Sequence, residues 1–255
     1  MHKCRQSFLV IPFLVLFSAA PLSAQCTVSD VKGDYATQPK GFLTSGPFAG
    51  PFAATGVIHF FGDGSFAGTA SSSFNGHVIY PFNARGLYTV TEDCIVTTQE
   101  FLTRIRFQGF LSATKNEVVM IQPDEETITL NDVAKIQTPE SGCTQSHLNG
   151  KWNLLGDGDN IITANRHAEH TGLSFDGKGA FTGGLISSEG GDIRRTKVSG
   201  AYTMNSDCTF RAKLTGGDGR ETWLFGVLFG PLDQMYYIHA DDGIVIRGGG
   251  RVGAF

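Results

Sequence analysis

Apolar and polar residues alternate over short runs along nearly the whole chain, and Gly, Asn and Asp break that alternation every 8–12 residues. An alternation of period two marks strands with one buried face, because successive side chains on a strand point to opposite sides. In the first half the pattern predicts strands near 33–38, 54–61, 64–72, 76–83, 85–91, 94–102, 104–113, 116–122 and 127–136. Connections such as "GDG", "EDC" and "TKN" suit hairpins, since Gly, Asn and Asp accept the positive φ of tight turns. No helical periodicity of useful length follows residue 24.

The pattern is written twice. "CTVSDVKGDY" (26–35) matches "CTQSHLNGKW" (143–152), and "FFGDGSFAG" (60–68) matches "FDGKGAFTG" (175–183). "GLYTVTEDC" (86–94) matches "GAYTMNSDC" (200–208), and residues 107–125 match 224–242. The offset stays between 114 and 117 positions, so insertions fall in turns and the chain reads as a tandem duplication. The expected organisation is a leader at 1–24, a first unit at 25–138, a linker at 139–142 within "TPESG", and a second unit at 143–255. Eight or nine short antiparallel strands per unit must hide two sheet edges, and closing the sheet removes them. The expected fold is therefore all-β: two tandem homologous antiparallel meander β-barrels, with two β-sandwiches as the alternative.

The first 24 residues carry a basic start, "MHKCRQ", an apolar run, "SFLVIPFLVLF", and small residues, "SAAPLSA". This is the build of a secretory leader cleaved after Ala24, and the apolar run is too short for a mature membrane helix. A secreted protein, extracellular or periplasmic, is expected. Export makes the cysteines informative. Cys4 belongs to the leader, and each unit owns two others at equivalent places. The duplication of a self-contained unit then predicts the pairs Cys26–Cys94 and Cys143–Cys208. Without Lys3 and Arg5 the chain has 18 basic residues against 24 acidic ones. That balance argues against a nucleic-acid partner, which needs a basic face.

"LNGKW" (148–152), opening the first strand of a small meander barrel, resembles the Gly-x-Trp start of the calycins, the lipocalin and avidin group; the first unit has Tyr35 where the tryptophan would stand. The resemblance implies a small barrel and carries over no ligand residues. A broader stretch, "PFAATGVIHFFGDGSFAG" followed by "GLYTVTEDC", resembles uncharacterised Gly-rich tandem-repeat proteins secreted by soil bacteria and implies no activity.

Candidate chemistry is sparse. Unit one has a segment "QPKGFLTSGPFAGPF" in which Phe42, Phe48 and Phe52 need burial, as rings that plug the barrel end or as a lid over a barrel mouth. In unit two the same place reads "GDGDNIITANRHAEH"; Asp157, Asp159 and Asn160 hint at calcium, but the EF-hand pattern breaks at Ile162 and Ala168. His167 and His170 would fall on opposite faces of a strand, and no metal site is expected. Val119 and Ile121 match Tyr236 and Ile238, an apolar face in both units and so the expected interior. Tyr237 and His239 then fall together on the other face, at a mouth or between the units. No nucleophile elbow, zinc-protease or phosphate-loop motif is present, and the units share no acid, base or nucleophile candidate. The leading expectation is a non-enzymatic protein without a cofactor that binds a small hydrophobic ligand or an extracellular partner. The alternatives are a solid-cored structural or interaction module, and a barrel cyclase or isomerase acting on an apolar substrate.

Overall fold

The computed structural model describes residues 25–101, 104–123 and 127–253; the leader lies outside the described residues. Its first barrel consists of β1 (Lys32–Leu43), β2 (Gly50–Phe61), β3 (Ser65–Phe74), β4 (His77–Val90), β5 (Ile95–Glu100), β6 (Arg106–Leu111), β7 (Glu117–Ile121) and β8 (Thr127–Lys135). The second consists of β9 (Gly150–Asn160), β10 (Asn165–Phe175), β11 (Ala180–Glu189), β12 (Asp192–Met204), β13 (Thr209–Gly216), β14 (Glu221–Phe229), β15 (Gln234–His239) and β16 (Ile244–Val252). Each strand pairs with its sequence neighbours, and the ladders β1–β8 and β9–β16 close the two barrels. All pairings within the barrels are antiparallel, so the closed meander is the fold and the sandwich alternative falls.

Two strand expectations are corrected. Residues 76–83 and 85–91 form one strand, β4, whose ladder with β3 absorbs an irregularity between Ala70 and Ser72. The long segment after the first strand is mostly a zipped hairpin: Lys40 lies opposite Ala53 and Leu43 opposite Gly50, leaving 44–49 as the connection. Its Gly and Pro residues read as loop, yet a proline is tolerated where a ladder bond is skipped. The β1–β2 register does skip Gln38 and Pro39.

The repeated opening motif is a plug. A 3₁₀ turn at Val28–Asp30 closes one end of the first barrel, and one at Gln145–Leu148 closes the same end of the second. The Tyr88 hydroxyl donates to the Val31 carbonyl at 2.7 Å, and the matching Tyr202 hydroxyl donates to the Gln145 carbonyl at 2.9 Å. Behind each plug an aromatic group fills the barrel. Phe60 meets Tyr35 and Tyr88 edge-on, and Phe175 meets Tyr202 in the same way. The matching rings of Phe66 and Phe181 lie over Gly86 and Gly200, where an added Cβ would sit 2.6 and 2.5 Å from ring carbons. Only glycine leaves room for that contact. Disulfides Cys26–Cys94 and Cys143–Cys208 tie each plug to the β4–β5 or β12–β13 hairpin, the pairing that the duplication implies.

The barrels touch along β1–β3 and β14–β16. Ala53 packs with Phe225, Ile238 and Val245, and Tyr80 stacks on Phe225 with centroids 4.5 Å apart. The buried Gln38 amide donates to the carbonyls of Tyr237 and Gly248 at 3.1 and 2.6 Å. Ile136, after β8, forms a parallel bridge with Gly230, after β14.

Candidate functional site

The inward residues of the first barrel leave a cavity of about 130 Å³ beyond the aromatic plug. Its wall is apolar: Phe52, Phe66, Phe82, Phe107 and Met120 line it, with Ala54, Ala70 and Ala84 supplying little volume. The alternation along β2 to β4 puts these alanines inward, which is what leaves the space open. The wall also carries polar residues, the buried Glu100 among them, and two polar pairs satisfy each other. The Thr37 hydroxyl donates to Asn131 Oδ1 at 2.8 Å, and the Thr129 hydroxyl donates to Gln122 Oε1 at 3.1 Å.

In the second barrel the matching space is filled. Ala54, Met120 and Gln122 correspond through the repeat to Glu169, Tyr237 and His239. There the open volume is about 20 Å³. Glu169 on β10 accepts a hydrogen bond from the Tyr237 hydroxyl at 2.9 Å; His239 Nε2 lies 2.9 Å and His167 Nε2 3.3 Å from its carboxylate. Burial alone would raise the Glu169 pKa, but the His239 charge and the hydrogen bonds from His167, His239 and Tyr237 overcome it and hold the carboxyl well below its usual range. For His239 burial opposes the charge, yet the Glu169 carboxylate wins and raises its pKa. Tyr237 is pushed well above the usual tyrosine value, first by burial and then by the Glu169 charge. The group is thus a buried carboxylate that favours the charged form of His239 and accepts from a neutral phenol.

Tyr237 fits because glycine faces it from β16. A Cβ on Gly248 would lie 2.2 Å from Tyr237 Cζ, and overpacking of this kind costs roughly 1–3 kcal/mol. Gly248→Ala is therefore expected to lower the melting temperature and shift the fluorescence of the second barrel, measured by thermal scan and emission spectrum. An unchanged melt would show that Tyr237 has room to spare.

The expected interior face is inverted. Val119 and Ile121 point outward and are 55% and 58% exposed, whereas Val118 and Met120 are buried inside. The expectation took the more apolar parity as interior. In the second barrel that outer parity is apolar because Ile238 lies under the first barrel. Tyr237 and His239 accordingly point into the second barrel and not between the units. Of the three phenylalanines, Phe52 lines the cavity and stacks on Phe74 at 5.7 Å. Phe48 sits on the β1–β2 connection, tilted against Phe74 at 6.0 Å. Phe42 lies on β1, half exposed, in a groove beside the second barrel. Phe48 and Phe52 thus meet on the ring of Phe74, and Phe42 lies apart from them.

Asp157 and Asp159 pair with Lys40 and Arg166, at 3.4 and 3.0 Å. Asn160 Oδ1 accepts from the Ile162 and Thr163 amides. Among the described residues no group of three or more His, Cys, Asp or Glu is placed to hold a metal. His167 faces in and His170 out. Sequence reasoning missed Glu169, which shares a strand face with His167 and Thr171 once "RHAEHTG" is read as strand rather than loop.

No family model and no curated protein matches the sequence. Solved structures match over most of the chain at low similarity. Kievitone hydratase from Nectria haematococca aligns at 7% identity and TM-score 0.28, covering 89% of this chain and 90% of that one. The isotype 1 transferrin binding protein B of serogroup B Neisseria meningitidis aligns at 8% identity and TM-score 0.31, covering 88% and 77%. A DUF3598-family protein of unknown function from Nostoc punctiforme aligns at 8% identity and TM-score 0.28, covering 90% and 100%.

Proposed function

We propose that the chain is an exported, non-enzymatic binding protein whose first barrel holds one small apolar molecule. One contrast carries this reading. Two copies of the same barrel differ at the same interior positions, and the first keeps about 130 Å³ open while the second keeps about 20 Å³. An apolar cavity of about 150 Å³ in another protein stays dry and binds benzene, which sets the ligand scale at about one ring. The calycin-like Gly-x-Trp start at 150–152 is in keeping with a small ligand barrel. Export is supported by the leader-like residues 1–24 and by two disulfides, which persist in oxidising compartments.

The test is a titration of the whole protein with benzene, followed by NMR. The wild type is expected to show saturable shifts at β2–β4 amides. Ala54→Leu fills the cavity and is expected to weaken binding at least tenfold while the melting temperature holds or rises. Equal affinity in that variant would sink the proposal.

A second reading, an interaction module, rests on the outer face of β6–β8. Phe110 lies opposite Val119 and Ile121 opposite Leu130 in the ladders, and all four side chains are exposed. A stripe of this kind is a feature of interaction surfaces. Absence of any saturable ligand, with concentration-dependent association lost on Val119→Lys, would favour it.

A further inference from the structure

The two barrels enclose a second cavity, of about 100 Å³, in the seam between β2–β3 of the first and β13–β14 of the second. Thr55 and Ser71 lie directly opposite each other in the β2–β3 ladder, on the outer face that meets the second barrel. They are 2% and 3% exposed, line this cavity, and their hydroxyl oxygens have no hydrogen-bond partner. Buried hydroxyls are almost always satisfied, and each offers one donor and two acceptor positions. Two such groups side by side imply hydrogen-bonding atoms inside the cavity. A buried water needs about 10–15 Å³ of such space, so the cavity exceeds one bridging water several-fold.

The rest of the wall narrows the chemistry. From the first barrel Tyr80 lays its ring on Phe225, with centroids 4.5 Å apart, and both rings border the cavity. From the second barrel Arg211 stands with its guanidinium 3.9 Å from the Trp223 ring centroid and 5.1 Å from that of Phe225. Asp207 is a wall residue too, with Oδ1 accepting from the Thr209 amide and hydroxyl. Arg211 and Asp207 both belong to the wall, so a ligand of either net charge would meet a like charge there. Paired hydroxyls, an aromatic edge and balanced charge suit a molecule that carries C–H faces and several hydroxyls without a net charge. We infer that the seam is a binding site for a small neutral polyol of about the size of glycerol. Neither barrel builds this site alone, and it is separate from the apolar cavity.

The experiment is a ¹H–¹⁵N titration of the full chain with glycerol and with ethylene glycol, with benzene binding to the first barrel as the internal control. Saturable shifts at the Thr55, Ser71, Phe225 and Gly226 amides are expected for at least one of them. The double change Thr55→Val, Ser71→Ala is expected to weaken that binding at least tenfold and leave benzene binding unchanged. Tyr80→Ala, at a half-exposed position, is expected to give the same loss if the double change harms folding. Shifts that never saturate would mean that the seam holds water only. Unchanged polyol affinity in both folded variants would likewise overturn the inference.

Discussion

Glu169→Ala is expected to cost the second barrel about 3–5 kcal/mol, the range seen when one partner of a buried ion pair is removed. Glu169 is 8% exposed, and its carboxylate is the common partner of His167, Tyr237 and His239. Its removal strands an imidazolium and a phenol in a space that water hardly enters. The first barrel shows a different solution at the same positions, Ala54, Met120 and Gln122. The triple change Glu169→Ala, Tyr237→Met, His239→Gln should therefore cost much less than the sum of its parts, because no charge is left unpaired. Urea unfolding of the variants measures both quantities; additive losses would show that the three side chains act independently.

The same pair sets a pH window. The Glu169 pKa is depressed in the folded chain, so its contribution is complete above the unfolded value near 4.5 and declines as pH falls toward the folded one. The His239 pKa is raised, so its contribution is complete below the unfolded value near 6.5 and is lost as pH rises through the folded one. His167, Tyr237 and Asp241 are the other titratable groups that act on the pair. Stability from this cluster is thus greatest between about pH 4.5 and 6.5. Glu169→Gln should flatten the melting temperature against pH on both sides of that window. Superimposable profiles for wild type and variant would refute the assignment.

Much of the architecture was legible because duplication supplied an internal control. Matching cysteines, turns and glycines appear twice, and only a self-contained unit explains both pairs at once. Strand parity was not legible. Val119 and Ile121 with Tyr236 and Ile238 are together more apolar than Met120 and Gln122 with Tyr237 and His239, so hydrophobicity pointed the wrong way. Outside a barrel that packs on its twin, an apolar residue such as Ile238 is buried by the neighbour and not by its own core. The cavity was hidden for a related reason. Whether a barrel is hollow depends on the summed volume at its inward positions, and Ala54 against Glu169 decides that only once the register is known. Glu169 itself stood in a polar string that reads as loop. The seam hydroxyls were beyond reach, since nothing local to Thr55 or Ser71 says that a second barrel covers them.

Loss of the Cys143–Cys208 bond, in the paired change Cys143→Ser, Cys208→Ser, is expected to destabilise the second barrel by about 4 kcal/mol on the chain-entropy model, given a separation of 65 residues. For a domain near 100 residues that corresponds to a fall in melting temperature on the order of 15–30 °C. The bond holds more than two chain positions. Cys143 is anchored by its amide to the Ser206 carbonyl at 2.9 Å, and Cys208 accepts from the Leu228 amide at 3.0 Å. Between them the plug turn buries Leu148 completely and takes the Tyr202 hydroxyl on the Gln145 carbonyl. Without the tether, the plug must order itself against the entropy of a free segment, and Tyr202 loses its acceptor whenever the plug swings out. The corresponding change in the first barrel, Cys26→Ser, Cys94→Ser, should act on the first barrel in the same way, across a separation of 68 residues. Differential scanning calorimetry of both variants then separates two cases. If each change lowers one of two transitions, the barrels melt independently and the seam of Gln38, Ala53 and Tyr80 is weak. If both lower a single transition, the seam couples the barrels into one cooperative unit. A variant that melts within a few degrees of wild type would show that the plug is held by packing alone.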